Sequence, residues 1–291
     1  MNGILLLDKP EGLSSNAALQ RVRRACGAGK AGHVGSLDPL ATGMLPICLG
    51  EATKVAGLIT GAHKRYRFTA VLGRRTATGD REGAEVEHAP VPELSAAVIE
   101  AALARFRGPQ LQVPPMYSAL KREGQPLYRL ARAGVEVERA PRPIEILELV
   151  LIGCAPQQLE LEVLCSKGTY VRVLAEDLAR TLGTCGYVGL LRRLYVEPFQ
   201  GQVMHTLEAL AEGIPPLIPP DAALPQLPAV TLPGPAAGRL CRGQAVALPQ
   251  CSASGQVRLY EEGGAFLGLG EAVGGEVRPR RLLRTDAQLS L

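Results

Sequence analysis

Three segments of this chain gather residue types able to do chemistry. The first is Gly32-His33-Val34-Gly35-Ser36-Leu37-Asp38-Pro39-Leu40-Ala41-Thr42-Gly43. Glycines let the backbone take positive φ and approach a ligand closely, and Pro39 biases Asp38 away from helix. The 26 residues before Asp38 hold no acid, but they include Arg21, Arg23, Arg24, Lys30 and His33. A carboxylate in such positive surroundings stays ionised and is available as a nucleophile. The plainer alternative is an Asx turn, with Asp38 capping its own loop. The second segment is Lys64-Arg65-Tyr66-Arg67-Phe68. An aromatic flanked by cations suits a nucleotide, because the ring stacks on a base and the cations hold phosphates. Alternatively, Tyr66 and Phe68 are strand core. The third is Cys165-Ser166-Lys167-Gly168-Thr169-Tyr170-Val171-Arg172, where a strand gives way to a helix start whose N–H groups face outward. Arg172 keeps its proton and makes a bidentate partner for a carboxylate. Its alternative is an exposed helix pair with Glu176, worth roughly 0.3–0.5 kcal/mol.

Two lookalikes fail. Gly27-Ala28-Gly29-Lys30-Ala31 lacks the Ser/Thr that follows the lysine of a nucleotide-binding P-loop, and Arg24 stands where its first glycine belongs. That disfavours an NTPase. His33, His63, His88 and His205 form no H-E-x-x-H, and no paired Cys/His spacing exists, so no metal is expected.

The elements that must position these residues follow from periodicity. Ile4–Leu7 reads as a buried strand. Ser14-Ser15-Asn16 can cap a helix with Leu19, Val22 and Cys26 on its inner face, ended by Gly27. Residues 27–43 hold five glycines and one proline, a long shaped loop of the kind that is usually functional. Met44–Leu49 reads as a strand, and Ala52 to Ile59 as a short helix. From Lys64 to Gly73, Tyr66, Phe68, Ala70 and Leu72 alternate with Arg65, Arg67 and Thr69, which predicts a half-buried strand. Leu94–Phe106 is a predicted helix with Ala97, Val98 and Ala101 inward. Residues 109–143, rich in Pro, Gly and Arg, suggest an inserted arm. Strands are expected over Ile144–Ile152, Leu159–Val163 and Leu190–Val196, with a helix from Thr169 to Leu182 closed by Gly183. Strands and helices that do not alternate as βαβ units argue an α+β fold with a mixed, mainly antiparallel sheet. Composition shifts at Gly213. Residues 214–235 hold eight prolines, a semi-rigid linker. The short strands beyond it, around Glu261-Glu262-Gly263-Gly264, suggest a small β-barrel domain.

The whole composition sets the class. With 291 residues, 46% hydrophobic and 21% charged, the chain is long enough for a large domain plus a small one and is not disordered. No apolar run approaches the roughly 20 residues of a membrane span, and the first residues do not form a signal peptide. Seven cysteines without C-x-x-C spacing fit reduced thiols of a cytoplasmic protein. The net charge of +4 is too small to establish a nucleic-acid partner. Its distribution, however, leaves residues 12–37 and 64–75 purely basic. Such stretches suit phosphate contacts, although the abundance of Arg over Lys also follows from a GC-rich coding sequence.

Taken in order, the segments above resemble the TruB family of bacterial tRNA pseudouridine synthases. The match also takes in Leu6-Leu7-Asp8-Lys9-Pro10-Glu11-Gly12-Leu13-Ser14-Ser15, Gly50-Glu51-Ala52-Thr53-Lys54, Met116-Tyr117-Ser118-Ala119-Leu120-Lys121 and Leu191-Arg192-Arg193-Leu194. The resemblance implies isomerisation of the uridine at position 55 in the tRNA T-loop, by base flipping and without cofactor or metal. It implies Asp38 as the catalytic aspartate, Arg172 as its partner, and Tyr66 as the aromatic that stacks on the flipped base and is a candidate proton acceptor at C5. His33 would help bind and flip T-loop bases. Tyr170 and Leu191 would surround the uridine, while Lys9 and Pro10 would buttress the pocket floor. The same resemblance implies a catalytic domain over residues 1–213 with an RNA-clamping arm at about 114–142, and a PUA-like RNA-binding domain over 236–291. The chain is expected to act as a monomer. Val34 and Ser36 depart from the family, which usually has Thr at the first position and Thr or Ala at the second. An RNA-binding or tRNA-folding protein with vestigial catalysis is the alternative; a pure binder has no need of a carboxylate facing RNA.

Overall fold

The computed structural model describes residues 1–122 and 124–283. Glu123 of the arm, and residues 284–291 at the end of the expected C-terminal domain, lie outside the described residues. The first part of the chain forms β1 (Gly3–Lys9), α1 (Ser15–Ala25), β2 (Ala31–His33), β3 (Thr42–Leu49), α2 (Ala56–Thr60) and β4 (Lys64–Leu72). There follow a ribbon of β5 (Arg74–Thr76) and β6 (Glu85–His88), then α3 (Ala96–Ala104) and β7 (Gly108–Gln112). The arm carries β8 (Lys121–Arg122), β9 (Gln125–Pro126) and α4 (Leu127–Arg132). Beyond it come β10 (Arg142–Ala155), β11 (Gln158–Cys165), α5 (Val171–Thr181), β12 (Gly186–Val196) and α6 (Leu207–Glu212).

Eight strands make the main sheet, in the order β1-β3-β12-β4-β11-β10-β7 with β2 beside β3. Every neighbour is antiparallel except β3 and β12. The fold is therefore α+β with a mixed, mainly antiparallel sheet, as the sequence leads one to expect. Both faces are covered near β1 and β3. Leu5 and Leu7 enter a core shared with α1, α3 and α5, while Ile4 and Leu6 enter a second core with Ala52, Val55 and Phe199. That is why β1 reads as a continuous apolar run instead of an alternation. Its free edge is closed by backbone hydrogen bonds with Ile218, within the proline-rich stretch, and with His205.

Several expectations need correction. In α3 the buried residues are Ile99, Ala102 and Leu103, whereas Val98 is 49% exposed. The Ser95 cap sets the helix so that the i, i+3, i+4 stripe starts at Ile99. The loop after α1 is interrupted by β2, and the irregular part of the arm begins only after β7.

The C-terminal residues form β13 (Ala229–Leu232), α7 (Gly234–Cys241), β14 (Val246–Ala247), β15 (Gly255–Glu261), β16 (Phe266–Val273) and β17 (Glu276–Leu282). The sheet order is β13-β15-β16-β17-β14. It is an open half-barrel with edges 9 Å apart, not the closed barrel expected. β14 is only two residues long and does not pair with β13. Ala236, Ala237 and Leu240 of α7 complete its core. The half-barrel docks on the main sheet through Leu269, which enters the second core, and through Lys54 Nζ donating to the Leu282 carbonyl at 2.6 Å. Among the described residues no helix is long and apolar enough to cross a membrane.

Candidate active site

The loop between β2 and β3 is fastened from below. Ser15 Oγ, in the first turn of α1, donates to the Leu37 carbonyl at 2.9 Å and accepts from the Leu37 N–H at 2.7 Å. The fully buried Lys9 donates to the carbonyls of Pro10, Leu13 and Pro39 at 2.8, 2.6 and 3.3 Å. These bonds hold the chain on both sides of Asp38. Burial lowers the Lys9 ammonium to about 8, against the pull of nearby Asp38. Gly43, at φ +98°, lets β3 pass close to β12; a Cβ there would run into the Arg193 carbonyl. Val34 packs in the core, and Ser36 lines the cavity mouth.

Asp38 and Arg172, far apart in sequence, meet with Nε to Oδ2 at 2.9 Å. Arg172 lies in the first turn of α5 and is buried. It also donates from Nη1 to the Thr78 carbonyl at 2.6 Å and from Nη2 to the Tyr117 carbonyl at 2.7 Å. Asp80 Oδ2 stands 3.8 Å from the same Nε. The guanidinium thus joins the Asp38 loop, the turn after β5 and the arm. Among the described residues it makes no ion pair with Glu176, so the helix-pair alternative does not describe it.

The surroundings of Asp38 correct the expected direction of its titration. Burial in the cleft pushes its carboxyl above the usual range; Arg172 pulls it down, Asp80 pushes it up, and the net shift is upward. Sequence alone points to Arg172 and a basic neighbourhood, not to Asp80 or to desolvation.

Asp38, Tyr66, Tyr170, Arg172 and Leu191 line one cavity of about 390 Å³. Tyr66 projects from β4 onto the same face as Lys64 and Phe68, and its hydroxyl is shifted upward by burial. Tyr170 precedes α5. Its N–H donates to Gln112 Oε1 at 2.8 Å, and its carbonyl accepts from Gln112 Nε2 at 3.2 Å. Two of the expected residues stand apart. Lys9 lies beneath the Asp38 loop, and His33, on β2, does not line the cavity. The His33 Nδ1 is buried without a hydrogen-bond partner among the described residues, and burial, helped by Arg193, lowers the ring's pKa.

The cations expected to hold phosphates beside Tyr66 are not on its face. The period of two sends Arg65 and Arg67 to the other side of the sheet, where they pair with Glu148 and Glu162. The cations that do line the cavity, besides Arg172, include Lys64 and Arg193. Both belong to segments that carry the family resemblance, but alternation is what assigns Lys64 to the inner face. Ser15 belongs to such a segment too, but reads there as part of a helix cap; Asp80 and Gln112 carried no comparable signal. Among the described residues no cluster of His, Cys, Asp and Glu could hold a metal ion.

Comparison with known proteins identifies the family. A model of the TruB family pseudouridylate synthase N-terminal domain matches residues 23–171, and one of the pseudouridine synthase II TruB C-terminal region matches residues 228–283. The tRNA pseudouridine synthase B of Chromohalobacter salexigens is 49% identical over 298 residues, which cover 100% of this chain and 97% of that protein. That of Aromatoleum aromaticum is 51% identical over 294 residues, covering 99% and 94%. Among solved structures, an H/ACA RNP bound to a substrate RNA containing 2′-deoxyuridine superposes with a TM-score of 0.74 at 20% identity, over 97% of this chain and 85% of that one. A Cbf5-Nop10-Gar1 complex gives 0.74 at 22%, over 96% and 84%. At that identity the likeness is one of fold. Matched at both ends and aligned along nearly its whole length with relatives that share about half its residues, the chain belongs to the TruB family of pseudouridylate synthases.

Proposed function

We propose that this protein isomerises uridine 55 in the T-loop of tRNA to pseudouridine. One observation carries the site assignment: the Asp38 carboxylate, 2.9 Å from a buried arginine, lines the same cavity as Tyr66. A base inside a folded loop must be everted to reach such a cavity, at a cost of a few kcal/mol, and stacking on Tyr66 offsets roughly 1–3 kcal/mol of it.

Asp38 engages the everted nucleotide as the N1–C1′ bond breaks, and Arg172 aims the carboxylate. The base turns and C5 bonds to C1′. The proton then leaves C5, its electron pair restores the ring, and N1 gains a proton. Tyr66 is the group that takes the C5 proton. The isomerisation transfers no electrons to or from the enzyme and adds no group, so it calls for neither cofactor nor metal. Leu191, Tyr170 and the arm exclude water, which would otherwise trap the cleaved sugar. His33 acts on neighbouring T-loop bases from outside the cavity, and Lys9 acts through the loop it fastens.

In this reading residues 1–213 carry catalysis, with 114–142 as the arm that closes over RNA. Residues 214–228 connect them to the PUA-like unit, which takes in β13 (Ala229–Leu232) ahead of the expected start at 236 and extends the RNA contact. The protein acts as a monomer in the cytoplasm. The test is Asp38→Asn assayed on a T-arm transcript, with product mapped by carbodiimide adducts. No pseudouridine and a Kd within a few fold of wild type is the expected result. Turnover by the purified variant removes Asp38 from its role, and tRNA binding by a wild type that forms no product leaves only the RNA-binding reading.

A further inference from the structure

A buried phenol accepts a proton only after losing its own, and burial opposes the phenolate that results. Arg193 bears on that problem. It sits on β12 directly across from Tyr66 on β4, so the two side chains share a face. It is fully buried, and its guanidinium donates to backbone carbonyls: Nε to Met44 at 2.6 Å, Nη2 to Gly35 at 3.0 Å and to Val34 at 3.4 Å. Among the described residues no carboxylate pairs with it. Nη1 is buried without a hydrogen bond of ordinary geometry. A guanidinium serving only to tie carbonyls would not be left with a desolvated donor, which is costly.

The cavity shows where that donor's charge is felt. Arg193 lines it together with Tyr66 and Asp38. Around the Tyr66 hydroxyl, Arg193 on β12 favours ionisation, whereas Cys165 on β11 and Asp38 on its loop oppose it, as burial does. Lys64, on Tyr66's own strand, and Lys167, after β11, line the cavity too; the Lys64 ammonium is drawn to the Thr60 and Ala62 carbonyls at 3.1 and 2.6 Å, away from the cross-strand position that Arg193 occupies. Arg172 is taken up by Asp38 and two carbonyls. Among the cations that line the cavity, Arg193 is thus the one set directly across the sheet from Tyr66, and no carboxylate among the described residues neutralises it.

We propose that Arg193 is a positioning residue for Tyr66: a fixed guanidinium that orients the phenol oxygen and stabilises it as the phenolate that takes the C5 proton. The phenol proton goes first to solvent. The phenolate oxygen then accepts the proton from C5, the C5–H electron pair returns to the ring, and the regenerated phenol gives that proton to solvent before the next turnover. Arg193 neither gains nor loses a proton, because a guanidinium stays charged in a protein. The inference rests on the reading of Tyr66 as proton acceptor, and its test separates the two.

Difluorotyrosine installed at residue 66 brings phenol ionisation toward neutral pH and gives a fluorine NMR signal specific to that ring. In folded Arg193→Gln the ionisation midpoint rises by about 1–3 pH units, and the basic rise of the single-turnover rate moves up with it. Arg193→Lys keeps a charge but cannot bind the carbonyls and still reach the ring, so its midpoint rises by less. It also serves as the measurement if Arg193→Gln fails to melt cooperatively. A midpoint that stays at the wild-type value in the folded variant overturns the proposal. A midpoint that moves while the rate profile does not keeps the neighbouring of the two groups but overturns the catalytic role, because Tyr66 is then not the proton acceptor.

Discussion

The two faces of β4 use cations in opposite ways. On the outer face, Arg65 and Arg67 sit over Glu148, Glu160 and Glu162, and the neighbouring Arg74 and Arg75 pair with Glu85 and Glu87. On the inner face, Lys64 is buried and fastened to carbonyls, as is Arg193 across from Tyr66. Arg172 faces Asp38 and Asp80 from α5. A carbonyl satisfies a donor without cancelling its charge, whereas a carboxylate does both. The run of bases at residues 64–75 is therefore mostly neutralised surface, and the charge that matters for chemistry is what the sheet turns inward.

The sharpest test of that contrast is Arg172→Lys. A lysine keeps the charge but cannot span Asp38 and two carbonyls. The expected loss in single-turnover rate is about 10²-fold, the scale of a misplaced catalytic group. The pH dependence carries a sign. Asp38 is already shifted upward by burial, and Arg172 is what pulls it back. Activity requires the carboxylate and is lost as pH falls through its value, so weakening Arg172 moves the acid limb to higher pH. An unmoved limb would mean that the pair is structural only.

Lys64→Met gives a smaller effect, read in stability. Burial lowers Lys64 from 10.5 to about 8. Below about 8 it is charged in both folded and unfolded chains, and the penalty of burying the charge is complete. Between about 8 and 10.5 the unfolded chain binds more protons, so stability from this group rises with pH. Relative to Lys64→Met, the wild type should gain about 2–3 kcal/mol of unfolding free energy across that window. Taking the difference between the proteins cancels the buried Cys48 thiol, which titrates the other way; Cys165, beside Lys64 and also shifted upward by burial, is replaced by Ser in both proteins so that its coupling to Lys64 drops out. A flat difference would place Lys64 with the solvated cations of the outer face.

How far all this is legible in the sequence depends on whether a residue's neighbours are local. Asp38, Tyr66 and Arg172 lie in segments whose glycines, alternation and strand-to-helix step suit structural roles as well when taken singly, and it is their ordered combination that marks a site. The α1 cap and the core face of β4 follow from periodicity in the same way. Asp80 sits in a polar turn and acquires its part only when that turn folds against α5. Ser15 reads as a helix-capping residue, yet its hydroxyl fastens Leu37 across 22 positions. The phase of α3 is ambiguous because nearly every position is apolar, so no pattern separates Val98 from Ile99. The half-barrel is missed for a related reason: short alternating strands look the same whether a sheet closes or stays open.

The smallest effect expected is that of Arg67→Gln, and its value lies in a control. Arg67 is exposed and held by Glu162 at 2.6 Å. Arg21, Arg23 and Arg24, exposed on α1, pair with no carboxylate among the described residues. A cation already paired releases few counterions when RNA arrives, because forming the new pair breaks the old one; an unpaired cation contributes in full. Replacing Arg23 by Gln should therefore lower the slope of log Kd against log salt by about 1 for each phosphate that the side chain no longer meets. Arg67→Gln should leave both slope and rate at the wild-type values. If the two substitutions weaken tRNA binding equally, the outer glutamates do not neutralise their arginines, and the asymmetry between the faces of β4 is one of burial alone.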